Sequence, residues 1–240
     1  SVQAVGLQRN TLDQYYTNPE LATKCIGLFI EVVKPSSSDL VIEPSAGAGS
    51  FSDILRDKLT CNVICFDIEP KKEYISKEDF LTLDTHSFHG CTSHCIGNPP
   101  FGRQSSLAKK FIKKCCEFSN SVAFILPRSF KKSSLHKTFP LCFHKVYEED
   151  CPTNSFLVNG TEYDVPCVYQ IWIKKDTHRV EEDSETPQEF EYVPKSGTPH
   201  IALRRVGFYA GKAFIDHESK SCQSHYFIKI HEHLVGNNTY

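Results

Sequence analysis

The 240-residue sequence contains no methionine, a single tryptophan and no long apolar run. Nothing in it approaches the roughly 18 to 20 consecutive apolar residues that span a membrane. The first ten residues, SVQAVGLQRN, lack the apolar centre of a secretory signal. We therefore expect an intracellular protein, cytoplasmic or nuclear, with no membrane partner. Because methionine is absent and the chain begins with serine, we also expect it to be part of a longer protein.

The sequence also lacks an excess of positive charge, since 27 Lys and Arg residues face 29 Asp and Glu residues. The overall balance therefore does not indicate a nucleic-acid-binding protein. The distribution along the chain is uneven, however. Residues 103–145 contain ten basic side chains and one acid, Glu117, whereas EEDSETPQEFE from Glu181 is strongly acidic. The basic segment predicts a local positive face.

Paired metal-binding spacings are missing as well. The segment HSFHGCTSHC, from His86, has the residue types of a zinc site but no CxxC or HxxxH pair, so we expect no metal. Several of the eleven cysteines lie in apolar runs, where a reduced thiol behaves as a small hydrophobic side chain. Buried reduced thiols are therefore predicted rather than a disulfide framework.

Apolar strand-like runs alternate with helical patterns through most of the chain. Helices are predicted after Asn18, after the EPSAGAG turn and over Ser105–Ser119. The predicted strands are LVIE, NVICFD, a short DFLTL, HCIG, SVAFILP, FHKVYEED and VPCVYQIWIKK. This order indicates a Rossmann-like α/β fold: a seven-stranded, mostly parallel sheet with an antiparallel closing hairpin and helices on both faces.

Composition also divides the chain. We predict a main domain over residues 1–175, an acidic linker or surface loop over 176–200, and a small strand-rich extension over 201–240. In the main domain, ligands are expected at the carboxyl ends of the parallel strands.

The segment EPSAGAGSF follows the first predicted strand of the sheet. Gly47 and Gly49 would let the backbone approach a ligand closely, although the segment matches neither G-x-G-x-x-G nor a phosphate-binding loop. An acid after the next strand, Asp67, is placed to accept hydrogen bonds from two ribose hydroxyls. Asp79 and Phe80 would then suit the amine and the face of an adenine. These features predict a nucleoside-containing cofactor.

The segment IGNPPFGRQ carries a stiff polar motif at the end of a predicted strand. Pro99 and Pro100 fix the backbone and direct the Asn98 carboxamide. The Pro99 carbonyl and the Asn98 side chain would hold the two hydrogens of a planar amine, while Phe101 stacks on the attached ring. We interpret Asn98, Pro99, Pro100 and Phe101 as a preorganised amine pocket.

The ordered set EPSAGAGSF, FDIEP, DFL and NPPF resembles the class I S-adenosylmethionine-dependent methyltransferases that modify amines, and QYYTNPELA, from Gln14, resembles a segment of N6-adenine methyltransferases. The resemblance covers roughly residues 13–175. It implies methyl transfer from S-adenosylmethionine to the N6 amine of adenine. It also implies that the cofactor is bound by Tyr16, Thr17, Glu43, Ser45, Gly47, Gly49, Asp67, Ile68, Asp79, Phe80 and Asn98.

A base inside a duplex cannot reach such a pocket, so the acceptor is predicted to be single-stranded or looped RNA, or a flipped DNA base. RNA is slightly favoured because the chain lacks an obvious large DNA-reading domain. Phosphates would be held by Arg103, Arg128, Lys131, Lys132, Arg204 and Arg205.

Alternatives remain open at this point. The same tetrad occurs in enzymes that methylate guanine N2, cytosine N4 or a glutamine amide, and a catalytically silent scaffold that binds RNA or a partner subunit is also compatible with the sequence.

Overall fold

The computed structural model describes residues 16–153, 155–158, 161–163, 165–181 and 189–231. The chain divides into two compact units, Ser1–Glu181 and Glu182–Tyr240. Of the segment QYYTNPELA, Gln14 and Tyr15 lie outside the described residues. Among the described helices the longest has 15 residues, and none is both long and apolar enough to cross a membrane.

The first helix confirms its predicted start. Strand β1, Tyr16–Thr17, leads into α1, Pro19–Val33. The Asn18 side chain accepts a hydrogen bond of 2.9 Å from the Glu20 N–H, which satisfies one of the unpaired donors of the first turn. Pro19 follows at the first helical position, where its missing N–H costs nothing.

A seven-stranded sheet forms the centre of the first unit and confirms the predicted fold class. Its seven strands are β2 (Leu40–Glu43), β3 (Asn62–Asp67), β4 (Ser76–Lys77), β5 (Ser93–Gly97), β6 (Ser121–Pro127), β7 (Phe143–Asp150) and β10 (Cys167–Lys174). Two further strands, β8 (Phe156–Val158) and β9 (Thr161–Tyr163), form a small hairpin between β7 and β10. The sheet order is β4-β3-β2-β5-β6-β10-β7. Neighbours from β4 to β6 are parallel, and β10 runs antiparallel to both β6 and β7.

Helices cover both faces of this sheet, as predicted. They are α1, α2 (Ser52–Lys58), α3 (Ser106–Cys116) and the short α4 (Ser133–His136). One core layer packs Phe111 and Ile112 of α3 against Phe124 and Trp172 of the sheet. The other packs α1 and α2 against the opposite face. Burying each such large side chain stabilises the fold by about 1.5–3 kcal/mol.

The predicted strand DFLTL is wrong. The edge strand is β4, a few residues earlier, and Asp79 to Leu83 form a turn in which the Thr82 N–H donates to the Asp79 carbonyl at 3.0 Å. The turn directs the Phe80 ring into the core, where it is 1% exposed. Burial of this ring therefore outweighs the strand propensity of the segment.

The connection between β7 and β10 contains more structure than its turn-rich sequence predicts. Its hairpin, β8 and β9, pairs with β1 to make a three-stranded antiparallel sheet in the order β1-β8-β9. Thr17 lies opposite Phe156, and the Asn18 N–H donates to the Ser155 carbonyl at 2.9 Å. The segment before the first helix is thereby fixed to the carboxyl edge of the large sheet.

The second unit contains an antiparallel sheet of four strands in the order β11-β14-β12-β13. The strands are β11 (Phe190–Val193), β12 (Ile201–Arg204), β13 (Ala213–Phe214) and β14 (His225–Ile230). Strand β11 lies within residues 176–200, which the sequence predicts as linker or surface loop. The strand forms because β14 provides its hydrogen-bonding partner, which a short local sequence does not reveal.

Candidate cofactor and acceptor site

The turn after β2 depends on its two glycines. Gly47 has φ +55° and Gly49 has φ +91°, a region in which a Cβ atom is strained. A Cβ on Gly47 would lie 3.4 Å from the Tyr16 ring, and one on Gly49 would lie 2.9 Å from the Tyr74 hydroxyl. Tyr16 therefore lies directly against the glycine turn.

The Asp67 carboxylate lies beside this turn at the end of β3. It accepts a hydrogen bond from the Gly47 N–H at 2.7 Å and another from the Glu69 N–H at 2.8 Å. Two backbone donors fix the orientation of the carboxylate and leave it further lone pairs for a ligand. The next side chain, Ile68, is 44% exposed and offers an apolar surface at the same edge.

Glu43 ends β2 and is 2% exposed. Burial, with a smaller contribution from the nearby Asp67 charge, raises the pKa of its carboxyl to about 8, so the group is mainly protonated at neutral pH. The Ser52 hydroxyl donates to it. A Cβ on Gly97 of the neighbouring strand would lie 3.2 Å from the Glu43 side chain, so a glycine there leaves room for the carboxyl.

The predicted amine pocket is held at both ends. The Asn98 carboxamide donates from Nδ2 to Thr17 Oγ1 at 3.1 Å, and the Ser45 hydroxyl donates to the Asn98 carbonyl at 3.4 Å. At the other end, the Phe101 carbonyl accepts from the N–H groups of Leu107 and Ala108 in α3. The structure thus brings the tetrad, the glycine turn and the Tyr16–Thr17 strand together.

The tetrad is followed by unusual backbone that the sequence analysis did not detect. Gly102, Gln104 and Ser105 all have positive φ, of +69°, +53° and +61°. Left-handed conformations cost energy for residues with a Cβ and tend to occur at functional sites. Gly102, which follows the NPPF tetrad, is the one sequence feature that could have indicated this backbone. A Cβ at this position would lie 2.8 Å from Leu107 Cγ.

The Asp79–Phe80 pair is only partly arranged as predicted. Asp79 is exposed, and its Oδ1 accepts from the Leu81 N–H at 3.0 Å. Phe80 stacks on Phe111, with ring centroids 6.1 Å apart, and its ring is enclosed by the core. The ring therefore does not present a face to an adenine, and this part of the prediction is corrected. Phe101 is half-buried and packs against both core layers.

The predicted phosphate-binding side chains lie in two places. Arg103 and Arg128, which follow β5 and β6, are exposed at the carboxyl edge of the large sheet, as are Lys131 and Lys132. Lys131 forms an ion pair of 2.9 Å with Asp150.

The other two predicted arginines belong to the second unit. Arg204 donates from Nε to the Val206 carbonyl at 3.1 Å, and Arg205 donates from Nη2 to the Gln223 carbonyl at 2.8 Å.

All eleven cysteines are free. Burial raises the pKa of the Cys115 thiol well above its usual range, so the thiol stays neutral. Within the described part of the chain, no group of three or more His, Cys, Asp and Glu side chains is arranged to hold a metal ion.

The residues at the carboxyl edge fit S-adenosylmethionine. A turn without side-chain bulk at Gly47 gives room for the cofactor, and the fixed Asp67 carboxylate suits the ribose hydroxyls. The exposed Ile68 side chain beside it suits the face of a base.

Comparisons with known proteins point to a methyltransferase domain. A family model described as the EDM2 methyltransferase-like domain matches residues 35–181. The Arabidopsis thaliana protein ENHANCED DOWNY MILDEW 2 is 25% identical over 129 residues, which cover 50% of this chain and 10% of that protein. The matched region thus spans about a tenth of the length of this curated relative.

A solved structure has a similar fold. The crystal structure of a Pyrococcus horikoshii protein, described as a candidate RNA methyltransferase, aligns with a TM-score of 0.56 at 17% identity. The alignment covers 72% of this chain and 93% of that one. The likeness supports the Rossmann-like class I methyltransferase fold.

Proposed function

The chain belongs to the EDM2 methyltransferase-like domain family, and from this premise we propose that it methylates the exocyclic N6 amine of adenine in nucleic acid, with RNA favoured over DNA. S-adenosylmethionine is the cofactor of a methyltransferase domain of this fold, and it supplies an activated methyl carbon. The observation that carries the proposal is the hydrogen bond that joins Asn98 to Thr17 beside the glycine turn.

The cofactor would be held by the glycine turn, Asp67 and Tyr16. The N–H groups of Gly47 and Glu69 donate to the Asp67 carboxylate and hold it at the edge of the sheet. There the carboxylate would accept hydrogen bonds from the ribose hydroxyls. The Tyr16 ring, which lies against Gly47, would cover the opposite side of the same space. Glu43 would contribute a neutral carboxyl below the turn, because its pKa is raised to about 8.

The acceptor amine would be held by Asn98 and Pro99. Because Asn98 Nδ2 donates to Thr17, the contact sets which side of the carboxamide carries the oxygen. That oxygen and the Pro99 carbonyl are the two proposed acceptors for the amine hydrogens. An amine that gains a methyl group becomes an ammonium whose proton is readily lost to water, so no strong general base is required. Alignment and electrostatic stabilisation would supply most of the rate.

Nucleic acid is the proposed acceptor because basic side chains surround the same edge. Arg103 lies two residues after Phe101, while Arg128 and Lys132 follow the neighbouring strand β6, and all three are exposed. Together they would hold phosphates next to a base that has left its stack. Adenine is proposed because of the Tyr16–Thr17 segment and its resemblance to N6-adenine enzymes. A nuclear or cytoplasmic location and a partner subunit remain predictions.

The proposal is tested by supplying S-adenosylmethionine with a tritiated methyl group together with RNA, DNA or protein. We expect label in RNA, and N6-methyladenosine after digestion to nucleosides. Asn98→Ala should abolish transfer while calorimetry shows cofactor affinity nearly unchanged. Asn62→Ala, an exposed asparagine at the opposite end of the sheet, is the matched control and should transfer normally.

Other outcomes separate the alternatives. Label in guanine or in a glutamine amide would replace adenine as the acceptor, and cofactor binding without transfer to any acceptor would indicate a silent scaffold. Normal turnover by Asn98→Ala would contradict the proposed role of the tetrad.

A further inference from the structure

The second unit exposes two tyrosines on adjacent strands of its sheet. Tyr192 of β11 is 58% exposed and Tyr226 of β14 is 46% exposed, with ring centroids 5.5 Å apart. Side chains alternate along β14, so the neighbours of Tyr226, His225 and Phe227, are buried on the other face. Two tyrosines with partly open rings therefore share one face of the sheet.

A loop beside this sheet presents a further aromatic pair. Phe208 is 97% exposed, and Tyr209 packs edge-on against it with ring centroids 5.3 Å apart. Gly207 and Gly211 have φ of +81° and +92°, and the Gly211 N–H donates to the Arg204 carbonyl at 2.7 Å. This hydrogen bond fixes the loop backbone, while the Phe208 side chain stays exposed to solvent. Exposed apolar side chains of this size often mark binding surfaces.

Cations accompany both aromatic pairs. The Arg205 guanidinium lies 5.5 Å from the centre of the Tyr226 ring, and the Lys212 ammonium lies 5.8 Å from that of Tyr209. Arg205 uses two of its five N–H donors, on Nε and Nη2, to bind the Gln223 carbonyl, which holds the guanidinium in place. Residues 201–215 contain three basic side chains and no acid. The charge of this segment is therefore complementary to phosphate.

We propose that the second unit binds a single-stranded nucleic acid whose bases stack on two aromatic surfaces, Tyr192 with Tyr226 on the sheet and Phe208 with Tyr209 on the loop. Arg205 and Lys212 would hold its phosphates, and we call the four aromatic side chains the stacking platform. Every base has an aromatic face, so such a surface binds single strands with little sequence preference. An exposed sheet face with aromatic side chains is suited to this task, since unpaired bases can lie flat on it.

The inference rests on the proposed function only in its choice of nucleic acid, because binding here requires neither the cofactor nor the amine pocket. The platform would retain the acceptor strand through residues that take no part in transfer. Arg205, which the sequence predicts to bind phosphate, lies beside the Tyr226 ring. Arg204 instead stabilises the loop by donating to the Val206 carbonyl.

The test measures fluorescence anisotropy of a labelled single strand of about 12 nucleotides with the full chain, in RNA and DNA arms. Phe208→Ala should weaken binding about tenfold, and Tyr226→Leu by a similar factor, since each removes one stacking surface. Arg205→Gln should reduce the dependence of affinity on salt by about one phosphate contact. Ile215→Ala, which also removes an exposed apolar side chain of the same unit, is the matched control and should bind like the wild type.

Phe208 is nearly fully exposed, so its replacement tests binding without endangering the fold. Equal binding by wild type and Phe208→Ala, or an equal loss in Ile215→Ala, would overturn the stacking platform. Absence of single-strand binding at micromolar protein would overturn it as well, and would direct attention to a protein ligand for this face. Oligonucleotide binding is measured without S-adenosylmethionine and methyl transfer with it, so failure of methyl transfer and failure of the platform are distinguishable.

Discussion

The carboxamide of Asn98 donates to the hydroxyl of Thr17 at 3.1 Å, between residues 81 positions apart in the chain. Thr17 is itself buried and paired with Phe156, so the hydrogen bond reaches Asn98 from a fixed strand. The proposed acceptor pocket therefore depends on a residue outside the NPPF motif. This dependence makes Thr17 a positioning residue with a measurable role.

Replacing Thr17 by valine keeps the shape of the side chain but removes the acceptor for Asn98 Nδ2. We expect the turnover number to fall about tenfold to a hundredfold, because a small displacement of a positioning group disturbs alignment of the reacting atoms. Cofactor affinity should change little. Steady-state kinetics and calorimetry measure both, and Thr17→Ser should restore turnover.

Thr23→Val is the control for this substitution, since Thr23 lies on the exposed side of α1 and donates only to the Pro19 carbonyl. Turnover of Thr17→Val equal to that of Thr23→Val would contradict the positioning role.

Replacing Asp67 by asparagine should weaken cofactor binding by about ten- to a hundredfold. The change removes the charge that would accept from the ribose hydroxyls and that the Gly47 and Glu69 N–H groups hold in place. Charge-assisted hydrogen bonds are worth about 1.5–3 kcal/mol. Calorimetric titration of the protein with S-adenosylmethionine measures the effect. Asp57→Asn on the exposed face of α2 should bind normally. An unchanged affinity in Asp67→Asn would remove Asp67 from the site.

Glu43 should make stability depend on pH. Its folded-state pKa is raised from 4.5 to about 8, so the folded protein binds the proton more tightly than the unfolded chain. The stabilisation is fully present below about pH 4.5 and is lost as the pH rises through about 8. Burial is the main cause, and the charges of Asp67 and Asp53 add to it.

Urea unfolding at several pH values measures this effect. Glu43→Gln should flatten the decline in the free energy of unfolding between about pH 5 and 8, whereas Glu31→Gln on the exposed side of α1 should retain it. An identical pH profile in wild type and Glu43→Gln would show that the carboxyl ionises normally.

Two glycine replacements should act in opposite directions. Gly102→Ala introduces a Cβ at φ +69° and 2.8 Å from Leu107 Cγ, so it should cost about 1–3 kcal/mol of stability and lower turnover by shifting the end of the tetrad. Gly27→Ala lies inside α1, where a Cβ meets nothing within 4 Å, and should stabilise by about 0.5–1 kcal/mol. Denaturant unfolding compares the two. A neutral Gly102→Ala would show that the loop relaxes freely.

Much of the fold followed from local patterns in the sequence. Continuous apolar runs such as SVAFILP identify buried strands, and Asn18 with Pro19 marks the start of a helix because both act through adjacent backbone groups. The glycine turn and Asp67 were likewise identifiable, since each follows a predicted strand. Their proximity followed from the rule that parallel strands end at the same edge.

Features that depend on distant partners were not predictable in the same way. Strand β8 forms because β1 is available to pair with it, and the turn-rich sequence around it gives no periodic signal. The Asp79–Phe80 sequence suggests an aromatic ring that faces a ligand, but the Phe80 ring packs against Phe66 and Phe111 in the core. Long-range burial decided both outcomes.

The small sheet formed by β1, β8 and β9 has a practical consequence for work with fragments. Its strands come from before the first helix and from the last connection of the large sheet, so neither end of the domain completes the proposed amine pocket alone. A truncated protein starting at Asn18 would retain the seven central strands and their helices. We expect such a fragment to keep its central sheet but to lose methyl transfer, and a circular dichroism spectrum close to that of the full chain would give no warning of the loss.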